Sequence, residues 1–174
     1  QYHSDLRYLL EKDILKKDRR YDIYVFTAHG KKLASELTAD HNIFDSKISS
    51  RREELRHDVM VYSAFKDLEK DLLNEGKVIV SYMTDRQLRS ADMKKNNTLA
   101  GEYPDVHVVY MDEKTGGQGF INLEVDVGYS SKEIQQKLKI PNLRWYTNSD
   151  KQREKVLKKA KYMDVRIIGE EYWR

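Results

Sequence analysis

Cysteine is absent from the 174-residue chain, which excludes a disulfide scaffold, a thiol nucleophile and a zinc–thiolate site. No apolar run approaches the roughly 20 residues needed to span a bilayer, and no signal-peptide core occurs. An excess of either charge is also lacking, since 32 Lys and Arg face 29 Asp and Glu for a net charge of +3. With a pI of 8.8, the chain accepts an acidic partner such as DNA without requiring one. These absences predict a soluble, cytoplasmic protein with no membrane partner. A mean hydropathy of −0.82 and 35% charged residues would suit a disordered chain, but 12 Tyr, 4 Phe and 2 Trp are too many aromatics for one. The length allows one core of ordinary size with a small appendage. The first residue is Gln1 rather than Met, and the chain reads as trimmed of an N-terminal part.

From Ser4, which can cap it, the pattern is helical, with Leu6, Leu9, Leu10, Ile14 and Leu15 on one face. A charged connector, Lys16 to Arg20, leads to an aromatic and β-branched strand, Tyr21 to Phe26. Thr27 can cap a short helix through Gly30 and Leu37. Helix, basic turn, strand and Thr27-x-x-Gly30-x-x-x-Ala34 is the order found at the C-terminal end of winged-helix DNA-binding domains. There the basic turn is the wing, and Lys16, Lys17, Arg19 and Arg20 would contact phosphates. The plainer reading is a solvated β-turn beside an ordinary helix.

A polar bridge, Thr38 to Ser50, precedes the strongest helical pattern. Leu55, Val59, Tyr62, Phe65, Leu68 and Leu72 form one stripe, capped by Ser49 or Ser50 and closed at Gly76. A strand over Lys77 to Met83 follows, then a polar stretch from Thr84 to Tyr103 that reads as a long loop with at most one helical turn. Val106–Met111 and Phe120–Asp126 read as a hairpin around a Gly-rich turn. A helix from Ser130 to Pro141, a strand over Leu143–Thr147, a basic helix to Tyr162 and a strand over Asp164–Ile168 complete the chain. This alternation predicts an α/β fold, a mixed sheet flanked by helices.

Acids gather where the hairpin strands begin and end. Pro104-Asp105 introduces one strand and Glu124-Val125-Asp126 ends the other, so antiparallel pairing brings the three carboxylates together, with Glu124 and Asp126 on one face. Grouped carboxylates repel unless a proton or cation joins them, and hard oxygen donors suit Mg²⁺ or Mn²⁺. Taken singly, each acid is more simply a turn or strand-end residue.

A long helix, strands bearing Pro-Asp and Glu-x-Asp, and a further helix resemble the PD-(D/E)xK nuclease fold. The resemblance implies a restriction-endonuclease-like sheet in which Asp105 and Glu124 bind a divalent metal. Asp126 stands where that motif has its lysine. Some members carry the basic residue on the next helix, which makes Lys132 or Lys137 the candidate, while Glu54 or Asp58 could add an acid from the first helix. The whole order resembles the replication-relaxation family of plasmids and integrative mobile elements more closely. It runs Tyr24-x-x-Thr27-x-x-Gly30-x-x-x-Ala34, His57, Pro104-Asp105, Glu124-Val125-Asp126-Val127-Gly128 and Lys137-Leu138. The resemblance implies a partial winged helix over residues 1–38 and a nuclease-like α/β domain over 39–174. It also implies a role in plasmid replication or DNA relaxation.

His57 reads either as a metal ligand, phosphate contact or general base, or as a hydrogen-bonded structural histidine, the commoner fate. The expected catalytic set is therefore Asp105, Glu124, Asp126, Lys137 and His57, with the three acids as the metal set. Late in the chain Lys155, Lys158 and Lys159 belong to a basic run that could track the backbone of double-stranded DNA, although such a face is more often merely solvated. Three functions stay open: a DNA-binding protein with a nuclease-like module, an active Mg²⁺- or Mn²⁺-dependent endonuclease, and a winged-helix transcription regulator that forms a homodimer through its α/β domain.

Overall fold

A computed structural model describes residues 2–18, 23–37, 52–96 and 101–168. The chain divides into two compact units, Gln1–Arg52 and Glu53–Arg174. The bridge expected at 38–50, with the proposed caps Ser49 and Ser50, lies outside the described residues.

The first unit contains α1 (Tyr2–Glu11), β1 (Leu15–Asp18), β2 (Ile23–Phe26) and α2 (Ala28–Leu37). Helix α1 stops earlier than its apolar pattern suggests. Asp13 adopts φ 52°, and the Ile14 and Asp13 amides return to the carbonyls of Leu9 and Leu10, which is a Schellman closure. Ile14 and Leu15 therefore leave the helix, and Lys16 and Lys17 lie in β1, paired antiparallel with β2, rather than in a turn. Thr27 caps α2 by accepting the Gly30 amide at 2.9 Å, and its own amide donates to the Ile14 carbonyl. Gly30 packs so closely there that a Cβ would sit 2.0 Å from the Ile14 oxygen. The Thr-x-x-Gly spacing is thus a packing requirement.

The second unit is a mixed α/β layer structure. Its five-stranded sheet has the order β3 (Lys77–Thr84), β4 (Val106–Asp112), β5 (Gln118–Asp126), β6 (Leu143–Thr147), β7 (Val165–Ile167). The first three strands are antiparallel, and β5, β6 and β7 run parallel. The helices α3 (Arg52–Asn74), α4 (Asp85–Asn96), α5 (Ser131–Lys137) and α6 (Asp150–Leu157) complete it.

Helix α3 packs Met60, Ala64, Leu68 and Leu72 with Val106, Val108, Leu123, Val125 and Tyr146. The buried stripe is shifted from the expected one, because Val59 and Tyr62 are exposed. The small residue Ala64 lies in the contact instead, and it lets the helix approach the sheet. Gly76 at φ 73° ends α3 as expected. A second core, Ile134, Trp145, Val156 and Val165, joins α5 and α6 to the sheet. Covered on both faces, β5 is buried from Asn122 to Asp126, including two acids.

Two further differences concern helices. Helix α4 occupies the stretch read as loop. It buries no residue, so no apolar stripe announces it. Thr84 and Gln87 tie its first turn, with Gln87 Oε1 accepting from the Thr84 amide at 2.9 Å, and Arg89 pairs with Asp85 at 2.7 Å. Helix α6 ends at Leu157 rather than near Tyr162, so Lys158 caps it and Lys159 and Lys161 follow it.

Candidate active site

The register pairs Val106 with Leu123, which puts Asp105 one step further along, level with Glu124. Asp105 is held twice. Its carbonyl accepts the Asp85 amide at 2.9 Å, and its Oδ2 accepts the Val125 amide at 2.7 Å. His57 reaches it from α3, with Nε2 3.5 Å from the same oxygen. Glu124 is fully buried. Its Oε1 accepts the Tyr129 hydroxyl at 2.7 Å, and the Lys137 ammonium lies 2.9 Å from Oε1 and 3.1 Å from Oε2. Lys137 also donates to the Tyr103 carbonyl at 2.6 Å. A helix of seven residues thus delivers one cation to the end of the central strand. The capping box of Ser130 and Glu133 fixes where that helix starts.

Asp126 has different company. Its Oδ1 accepts the amides of Gly128 at 2.7 Å and Tyr129 at 2.6 Å, and its Oδ2 accepts Gln152 Nε2 at 2.7 Å. It too is fully buried. Three neutral N–H donors satisfy it, with no metal-like partner among the described residues.

The electrostatics follow from burial. Desolvation first, and the charge of Asp105 second, push the Glu124 carboxyl well above the usual range, against the pull of Lys137 and Tyr129. Burial opposes a charge on His57, but hydrogen bonds and charges from Asp105 and Asp58 outweigh it, and its pKa rises to about 10. Burial and the neighbouring acids drive the Tyr129 phenol upward, so it is a neutral hydrogen-bond donor and not a nucleophile. The cluster therefore matches two acids, Asp105 and Glu124, with two bases, His57 and Lys137.

Of the expected catalytic set, the structure brings Asp105, Glu124, Lys137 and His57 together and gives Asp126 a separate environment. Lys132 is exposed on α5. Asp58 is about half exposed and 3.9 Å from His57, and the Glu54 side chain lies outside the described residues. Among the expected DNA contacts, Lys16, Lys17, Lys158 and Lys159 are exposed, while Arg19 and Arg20 lie outside the described residues. Lys155 instead turns inward and donates to the Tyr129 carbonyl. Tyr129 and Gln152 were not legible as site residues, because no spacing rule links a turn tyrosine or a helical glutamine to a strand acid. A cleft of about 270 Å³ opens beside the cluster, lined by Glu102, Tyr129, Glu133, Gln136 and Lys137.

Among the described residues no three His, Asp or Glu side chains form a ready metal cage. Asp105 and Glu124, level with each other across the hairpin, are the two carboxylates that could hold a hard divalent ion, since Mg²⁺ commonly keeps several waters beside one or two carboxylates. No helix among the described residues is long and apolar enough to cross a membrane. In comparisons with known proteins, no family model, curated protein or solved structure matched the chain.

Proposed function

We propose that this chain is a DNA-binding protein of the replication-relaxation type, with a nuclease-like α/β unit centred on Asp105, Glu124 and Lys137. The observation that carries this reading is the lysine. Asp126 breaks the motif in sequence, yet Lys137 from the following helix sits 2.9 Å from Glu124, the place a migrated basic residue would occupy. Mg²⁺ or Mn²⁺ bound by Asp105 and Glu124 would supply Lewis-acid stabilisation of phosphate charge. Lys137 and His57 supply positive charge where a phosphodiester would lie. The exposed lysines of β1, in a partial wing, and those after α6 offer phosphate contacts that position DNA without reading its sequence.

The test is incubation of the protein with supercoiled plasmid and Mn²⁺ or Mg²⁺. Nicking that Asp105→Ala and Lys137→Met both abolish is the expected outcome. Nicking untouched by either variant would remove the site from the reaction. A second reading, a DNA-binding or assembly module without cleavage, is favoured by one feature: each acid already has a base of the chain beside it. Binding of the plasmid without nicking would select that reading.

A further inference from the structure

Asp126 occupies the position two residues after Glu124 at which the nuclease-like motif carries lysine. We infer that Asp126 and Gln152 are positioning residues, which lock the backbone of Tyr129 so that its hydroxyl holds the Glu124 carboxylate in one orientation. The inference rests on reading Asp105, Glu124 and Lys137 as a functional centre, and it gives the acid at the lysine position a role of its own.

The bonds run in sequence from Asp126 to Glu124. Asp126 Oδ1 holds the amides of Gly128 and Tyr129. Gln152 Nε2 donates both to Asp126 Oδ2, at 2.7 Å, and to the Tyr129 carbonyl, at 2.9 Å. Both partners are acceptors, so the glutamine amide has only one satisfying orientation. Lys155 adds a second donor to the same carbonyl. The Tyr129 peptide groups are thereby fixed on both sides, although the preceding residues Val127 and Gly128 are exposed.

The Tyr129 ring stands edge-on to Trp145, with centroids 6.0 Å apart at 86°. Its remaining polar atom reaches Glu124 Oε1 at 2.7 Å. A ligand-binding carboxylate must be held within about 0.5 Å of its working geometry, and partners of this kind alter metal affinity by roughly 10–100-fold. Asp126 thus acts on the centre through Tyr129, with no contact of its own to whatever Glu124 binds.

Two readouts test this on the full chain. The first is the Tyr129 hydroxyl proton in NMR spectra, which its bond to Glu124 should slow in exchange and which is identified by its loss in Tyr129→Phe. The second is the Mn²⁺ dissociation constant. Asp126→Asn keeps the side-chain shape but turns a donor toward Gln152, and it should erase the hydroxyl signal and weaken Mn²⁺ binding about tenfold. Tyr129→Phe should weaken it equally, and the double variant should be no worse than either single one. Losses that multiply in the double variant would mean that Asp126 touches the ion, and would overturn the inference. So would a retained hydroxyl signal with parental Mn²⁺ affinity. If Asp126→Asn does not fold, Gln152→Ala removes the same link and carries the same expectations. Failure of the parent to bind Mn²⁺ would defeat the nuclease-like reading alone. The hydroxyl signal then decides the positioning role: loss in the variants supports it, and retention refutes it.

Discussion

Two aspartates end the two strands of the β4–β5 hairpin with the same local bonds. Asp112 accepts the amides of Lys114 and Thr115 at 2.9 and 3.0 Å. Asp126 accepts the amides of Gly128 and Tyr129, the same two positions onward. Asp112 lies at the exposed turn, and its backbone hydrogen bonds, that from Thr115 foremost, hold its carboxyl below the usual range. Its further partners are the Thr115 side chain and the charge of Lys77, all at or beside the turn. Asp126 is fully buried, its second oxygen is taken by Gln152, and its turn carries Tyr129 to Glu124. The difference is what lies over each end. Under α5 and α6 a carboxylate must be partnered or protonated, so at the buried end each acid recruits a specific donor. At the open end Asp112 keeps to the turn's own amides, the Thr115 side chain and the nearby charge of Lys77.

The largest effect that could break this comparison comes from removing a cation at the buried end. Lys137→Met leaves Glu124 without its charged partner, and breaking a buried pair typically costs about 3 kcal/mol. Chemical denaturation above about pH 8, where Glu124 is ionised despite its raised pKa, should show a loss of that order. The loss should shrink as pH falls, because Glu124 can then bind a proton. Parental stability in this variant would mean that Glu124 is not held as an ion pair.

A smaller effect lies in the pH dependence of His57. Its folded-state pKa is raised from 6.5 to about 10, so between those values the folded protein keeps a proton that the unfolded chain releases. The stabilisation is complete below pH 6.5 and is lost as pH climbs through about 10. It amounts to roughly 1.5–3 kcal/mol for a hydrogen bond to a charged group. Melting curves across that range should fall in the parent and flatten in His57→Gln. An equal slope in both would separate His57 from Asp105.

The smallest effect belongs to the open end. Asp112→Ala should move Tm by less than about 3 °C, since exposed turn changes are usually mild. A large drop there would erase the distinction between the two ends.

Much of the fold was legible because it is local. The hairpin, its turn and the strand–helix alternation after it follow from runs of β-branched residues, Gly-rich turn chemistry and the serine start of the helix at Ser130. Helix α4 was not, because a helix that buries nothing leaves no periodicity to read. The face of α3 was legible in part: Leu68 and Leu72 are in the core and Phe65 packs against it, whereas Val59 and Tyr62 are exposed and Ala64, a small residue with little hydrophobic signal, takes a core place. At the site, antiparallel pairing predicted that Asp105 meets Glu124 and Asp126, and the resemblance to nuclease-like domains made Lys132 or Lys137 on the next helix the candidate. The divergence of Asp126 from Glu124 was invisible in the sequence. The two share a face, and the partner that sets Asp126 apart, Gln152, lies 26 residues away.

The central claim is that the buried end of the hairpin is a charged binding centre and the open end is scaffold. Thermal unfolding with increasing Mn²⁺ tests it most directly in the parent, Glu124→Gln and Asp112→Asn. An ion held only by the folded state stabilises it by about 2.7 kcal/mol at a hundred times its dissociation constant. Tm should rise in the parent and in Asp112→Asn, with little or no rise in Glu124→Gln. An equal response in all three proteins would contradict it.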